Sequence, residues 1–258
     1  AENTKFTADG SKTPTRVLSL GRGIHPSMLT PYGISNFESY QSIFPADYRS
    51  LFTRMNGDSQ VSYILAATTT PENLAPGLLD LFGISVLYNQ PDPQQQQEGT
   101  SNLLILPREG ALRAYLLNRY RVVSDSSDLF APDFNPRREV LLDSPPPFES
   151  AKEPRFQEVT PTFYGYNEVR LRVVSETESL LILNDLHYPG WSATVNETPA
   201  PILKAYGFAR AVAVPQGESE IVMRFRPSSL PLMLVLVGCG AFLLIALAIR
   251  SRRLAQPE

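Results

Sequence analysis

The chain has almost no cysteine, histidine or tryptophan: 258 residues include only Cys239, His25, His187 and Trp191 of these types. A lone cysteine inside a hydrophobic run leaves the polar part without a disulfide or a thiolate metal site, so its stability has to come from packing. Two distant histidines offer no metal-ligand spacing, and no cofactor motif accompanies them; neither metal nor cofactor is expected. Charge is also sparse, at 19% of residues, and the Lys and Arg side chains are scattered among acids rather than gathered into a basic stripe, which excludes a nucleic-acid partner. Glycine (15) is outnumbered by proline (23), a balance that favours loops, extended segments and short strands over a helical bundle. An exported domain without disulfides points to a bacterial protein rather than a secreted eukaryotic one.

What is present is a long apolar run near the end. From Leu230 to Ile249, LPLMLVLVGCGAFLLIALAI holds no charged residue for 20 positions, which as a helix would rise about 30 Å and match a bilayer core. It reads as a transmembrane helix over 229–250. Pro231 suits the first turn, and Arg250, Arg252 and Arg253 follow the last. Arg250 with the basic tail, 251–258, outweighs Arg224 and Arg226 on the other side by three to two, so the C-terminus leans to the cytoplasm. AENTKFTADG at the start has neither a basic nor an apolar signal region, so the expectation is a cleaved signal or earlier transmembrane helices upstream.

Between those ends, two patterns divide the polar part. Over 1–150, VLSL at Val17–Leu20 and ISVLY at Ile84–Tyr88 read as buried strands, and LLIL at Leu103–Leu106 resumes one after the solvated PDPQQQQEG loop. Ala46–Met55 and Pro71–Phe82 carry apolar residues at helical spacing, the second interrupted by Pro76 and Gly77, so this part reads as a mixed α/β region. The proline-rich SPPPFES around Pro145–Pro147 marks a boundary. Over 151–228 the period becomes two: Val169, Leu171 and Val173 alternate with Arg170 and Arg172, and Ile221, Met223 and Phe225 with Val222, Arg224 and Arg226. With turn signals at Asn196–Pro199, Tyr206-Gly207 and Gln216-Gly217, short strands at spacings near ten residues argue a β-sandwich or jelly roll. The fold class expected is therefore α+β: a mixed α/β N-terminal region, an antiparallel β-sandwich or jelly-roll-like domain, and one C-terminal transmembrane helix.

Leu183–Pro227 contains Tyr188-Pro189-Gly190-Trp191, Pro199-Ala200-Pro201, Phe208-Ala209-Arg210-Ala211-Val212 and Pro215-Gln216-Gly217 in that order. This succession resembles the end of bacterial YfhO-family membrane proteins, departing from it by Ala209 inserted in an FRAV element. LFGISVLY at Leu81–Tyr88, ALRAYLLNRYRVV at Ala111–Val123 and FNPRREVLLDSPP at Phe134–Pro146 resemble further parts of the family. The resemblance implies a bacterial cytoplasmic-membrane protein similar to C-class glycosyltransferases, glycosylating envelope polymers from lipid-linked sugars. In such enzymes the catalytic acid lies in the first membrane helices, so no catalytic residue carries over to this chain.

Four residues stand out as candidate ligand contacts. Tyr188 and Trp191 could stack on a sugar from the YPGW turn, against the common fate of a single Trp in a sandwich core. Asp185 and His187 lie two apart in a strand, on one face, where a Ser/His/Asp-type site competes with polar residues that simply close a strand end. The aromatic stretch Tyr32, Phe37, Tyr40, Phe44 and Tyr48 has core packing as its ordinary reading. The resulting expectation is an extracytoplasmic domain and last membrane helix of a YfhO-like envelope glycosyltransferase, binding acceptor or supporting an active site elsewhere. Its expected partners are the lipid bilayer, other membrane subunits or upstream helices, and a glycan or lipid-linked sugar. A single-pass accessory subunit of a larger membrane complex and a membrane-anchored carbohydrate-binding module remain open.

Overall fold

The computed structural model describes residues 16–20, 34–36, 51, 76–89, 104–125, 127–131, 133–227, 235–240, 242 and 244. They form three sheets. The four-stranded sheet holds β1 (Arg16–Leu20), β2 (Ser35–Asn36), β3 (Val86–Asn89) and β4 (Leu104–Pro107) in the order β2-β1-β3-β4. The seven-stranded sheet uses β5 (Ala114–Leu117), β6 (Tyr120–Val122), β7 (Val140–Leu142), β8 (Phe156–Glu158), β11 (Ser179–Leu186), β14 (Leu203–Ala205) and β15 (Ala209–Val214), in the order β6-β7-β14-β15-β11-β5-β8. The five-stranded sheet is built from β9 (Phe163–Tyr164), β10 (Glu168–Ser175), β12 (Trp191–Val195), β13 (Thr198–Ala200) and β16 (Gly217–Phe225), in the order β13-β12-β16-β10-β9.

Period-two alternation explains the five-stranded sheet. Val169 pairs with Met223 and Leu171 with Ile221 across the antiparallel β10 and β16, while Ala193 and Val195 of β12 meet Met223 and Ile221 from the other side. These apolar side chains close over Ala114, Leu116, Leu181, Leu183, Val212 and Val214 of the seven-stranded sheet, forming a sandwich core. Burying each such aliphatic side chain contributes about 1.5–3 kcal/mol. The seven-stranded sheet is covered on its other face too, where Tyr115, Leu117, Leu180, Ile182, Ala209 and Ala211 pack with Leu18, Leu78, Leu81 and Phe82. Its interior strand β11 is accordingly apolar on both faces, which is why LLIL shows no alternation.

The expected α+β class, with its mixed α/β N-terminal region, is corrected: the described residues are mostly strand. Among the described residues the Pro71–Phe82 segment holds a helix of six residues, α1 (Pro76–Leu81), and a 3-10 turn spans Ser127–Phe130. Proline at the start and the left-handed Gly83 (φ 65°) just beyond the end confine α1 to that length. Strands β5 and β7, whose buried apolar runs carry no period-two signal, and the short, largely exposed β6 enter the same sheet as β11 and β15 instead of an α/β layer. The seven-stranded sheet thus takes strands from either side of residue 150. Of the helix expected at Ala46–Met55, only Leu51 is described, helical and buried; PDPQQQQEG and the aromatic stretch at Tyr32–Tyr48 lie outside the described residues, apart from the strand pair Ser35–Asn36.

The transmembrane helix, and the description as a membrane protein that followed from it, are corrected as well: among the described residues no helix is long and apolar enough to cross a membrane. An uncharged run of that length is compatible with a span but does not by itself establish one.

Candidate functional site

The antiparallel register of β11 and β15 breaks at one place. Leu183 faces Arg210 and Leu186 faces Ala209, so Asn184 and Asp185 are two extra residues that bulge from the ladder. The bulge is held by Asn184, whose backbone N–H donates to Arg113 O and whose Nδ2 donates to Leu112 O at 2.8 Å. Asp185 is thereby turned into a nest of cations and is itself buried.

Its carboxylate is fully used. Oδ1 accepts from Arg16 Nη2 at 2.8 Å and forms an ion pair with Arg113 Nη2 at 2.9 Å, and Oδ2 accepts from Tyr164 Oη at 2.6 Å and Arg210 Nη2 at 3.1 Å. Arg16 Nη1 also donates to Phe82 O and Asn184 O, both at 2.8 Å. Arg113 further donates to the Tyr164 hydroxyl. Burial alone would raise the Asp185 carboxyl, but the guanidiniums of Arg113, Arg16 and Arg210, with the Tyr164 hydrogen bond, overcome it and hold the group well below the usual carboxylate range. Burial, then the charge of Asp185, pushes the Tyr164 phenol up, so it stays the donor in that pair. Each aromatic neighbour covers a guanidinium face: Arg210 Cζ lies 3.8 Å from the Trp191 ring centroid and Arg113 Cζ 4.9 Å from that of Tyr164.

The cluster draws on all three sheets. Arg16 comes from β1, Arg210 and Asp185 from the seven-stranded sheet with Arg113 just before β5, and Tyr164 and Trp191 from β9 and β12. Among the described residues one carboxylate meets three guanidiniums, and Nε and Nη1 of both Arg113 and Arg210 are buried without a hydrogen-bond partner, as is Asn184 Oδ1. A buried donor left unpaired costs about 1–3 kcal/mol, so this imbalance is not incidental to stability.

The four residues singled out in the sequence separate here. Asp185 joins the arginine cluster and, with its oxygens taken, does not orient His187 for nucleophilic chemistry. His187 has its backbone N–H donating to Phe208 O at 2.6 Å at the end of β11. Trp191 is half-buried, packing on the sandwich core, on Arg210 and on Phe225, whose ring centroid is 5.5 Å away. Tyr188 is 49% exposed, tilted against Phe225 at 6.3 Å.

A second exposed aromatic stands close by. Tyr166, 78% exposed, sits on the loop between β9 and β10, whose Asn167 O accepts from Phe225 N–H; the next residue, Arg226, donates its N–H to Gly190 O in the YPGW turn. The two loops thus flank the end of β16 on consecutive residues. Beside them Glu168 bridges Arg170 and Arg224, with Arg224 Nε donating at 2.9 Å, and these bonds hold its carboxyl below the ordinary value.

Arg16, Arg113, Arg210, Tyr164 and Tyr166 were not singled out in the sequence. Arg210 did carry a signal: in ARAVAV it shares the buried face of Val212 and Val214, where a charge needs a partner. Arg16 carried none, being separated from Asp185 by most of the chain. Among the described residues, no group of His, Cys, Asp or Glu side chains is placed to hold a metal. Comparison of the chain with protein families, with curated proteins and with solved structures finds no match in any of the three.

Proposed function

We propose that this chain is the extracytoplasmic, β-rich part of a bacterial envelope glycosyltransferase resembling the YfhO family, and that it binds the acceptor glycan rather than performing the transfer. The order of the YPGW, PAP, FARAV and PQG segments supports the family, and one observation supports glycan contact: the exposed Tyr188 and Tyr166 on loops anchored to Phe225, the last residue of β16, and to Arg226 just beyond it. Flat apolar ring faces suit the C–H faces of a pyranose. The neighbouring Glu168, Arg170 and Arg224 supply fixed acceptors and donors for its hydroxyls. Trp191 serves beneath this surface, holding Arg210 and Phe225 in place.

The test is binding of the full chain to immobilised envelope polysaccharides. Tyr188→Ala and Tyr166→Ala should each weaken binding about tenfold, a loss of about 1.4 kcal/mol, with Val174→Ala on the outer face of β10 as an unaffected control. No binding to any polysaccharide, or binding that both tyrosine variants leave intact, would overturn the reading.

A further inference from the structure

The parallel strands β6 and β7 are joined by a connection over residues 123–139, and a cavity of about 430 Å³ lies between this connection and the start of β6. None of its lining comes from the five-stranded sheet, so it is separate from the tyrosine surface and does not depend on the glycan reading. Hydrogen-bonded turns set the path of the connection. Asp125 Oδ1 accepts the Ser127 N–H at 2.6 Å, Asp128 O that of Ala131 at 3.1 Å, Ala131 O that of Phe134 at 3.0 Å, and Asn135 O that of Arg138 at 3.0 Å. Phe134, which lines the cavity, is half-buried and packs edge-on against the buried Tyr206, with ring centroids 6.0 Å apart.

Charge decides what fits. The lining holds the guanidiniums of Arg119, Arg121 and Arg138 and the carboxylates of Asp128, Asp133 and Glu139. Four of these are paired with one another: Arg121 donates Nε to Glu139 Oε2 at 3.1 Å and Nη1 to Asp128, and Arg119 Nε lies 3.8 Å from Glu139 Oε1. The other two, Asp133 and Arg138, are exposed and of opposite sign, and neither side chain bonds to another described residue. A lone anion would pair with Arg138 and face Asp133; a lone cation would meet the reverse. A neutral sugar would leave both charges uncompensated. A molecule with one carboxylate and one ammonium answers both, and the α-carboxyl and α-amino groups are each charged at neutral pH. The volume lies toward the small end of the roughly 300–1,000 Å³ typical of ligand pockets, which favours a compact molecule. We propose that this cavity binds a small zwitterion of the amino-acid type, with its carboxylate on Arg138 and its ammonium on Asp133. Free amino acids and short peptides share that pair of charges.

The test follows the backbone amides between Ser127 and Glu139 in the full, 15N-labelled chain by NMR. Glycine, L-alanine and L-alanyl-L-alanine are titrated in separate arms, with sodium acetate, methylammonium chloride and glucose as controls that each lack part of the charge pair. The zwitterions should move these amides saturably and the controls should not. A response to glycine or alanine alone supports a site for free amino acids; a response to the dipeptide, with or without the amino acids, supports one for a peptide. Asp133→Asn and Arg138→Gln should each weaken the response about tenfold, while amides elsewhere show the fold retained. Tyr188→Ala should leave the titration unchanged, which separates failure here from failure of the glycan reading. Amides that stay still with all three zwitterions, that move as much with a control, or that respond undiminished in either charge variant overturn the proposal.

Discussion

Asp185 holds three guanidiniums together with one negative charge, so its loss strands cations in a place water does not reach. Asp185→Asn should destabilise the chain by about 3–5 kcal/mol at pH 7, measured by urea unfolding. The same residue sets an acid dependence. Its folded carboxyl lies below the value of about 3.9 in an unfolded chain, so its contribution is complete above that pH and fades as pH falls toward the folded value. Unfolding of the wild type should therefore ease steeply from about pH 4 to pH 2, and Asp185→Asn should flatten that slope. Asp185 was visible in the sequence as a polar residue near a strand end; of its partners only Arg210, on the buried face of ARAVAV, left a local trace. Arg16 and Asp185 are 169 positions apart, and no local period or spacing joins residues brought together only by sheet stacking.

At the scale of elements, the turns and alternating strands were the legible part. VRLRVV and the strand ending at Phe225 have the inward and outward faces that their alternation states, and NETP is a two-residue hairpin turn between β12 and β13. Asn196 (φ 50°) and Glu197 (φ 65°) both occupy the left-handed region there. Glutamate is strained in that position, so Glu197→Gly should stabilise the chain by about 1 kcal/mol in thermal or urea unfolding. Gly190 is the converse. At φ 105°, a Cβ would come within 2.8 Å of Arg226 O and 2.9 Å of Phe225 Cε2, and backbone cannot step aside as a flexible side chain can. Gly190→Ala should cost about 1–3 kcal/mol and, by displacing the loop that carries Tyr188, weaken polysaccharide binding as well. The helical spacing of Pro71–Phe82 does meet a helix, α1 at Pro76–Leu81, while of Ala46–Met55 only the helical Leu51 is described.

Across the whole molecule, Arg16 fastens the four-stranded sheet to the two that form the sandwich, bonding at once to Phe82, Asn184 and Asp185. Arg16→Met should loosen that sheet first: amides of β1 and β3 should exchange with deuterium at least tenfold faster, about 1.4 kcal/mol of local opening, while β10 and β16 keep their protection. Uniform acceleration everywhere would show instead that the three sheets open as one unit.

The bulge in β11 has an even number of extra residues. Side chains along a strand change sides at every step, so excising Asn184 and Asp185 would leave Leu183 on the sandwich side and Leu186 on the opposite one, as they are now. No greasy residue would be turned outward by the shortening. The sheet could do without this pair and keep its faces matched; what would vanish is the carboxylate around which three otherwise repelling side chains gather, so the two residues serve the meeting point and not the strand.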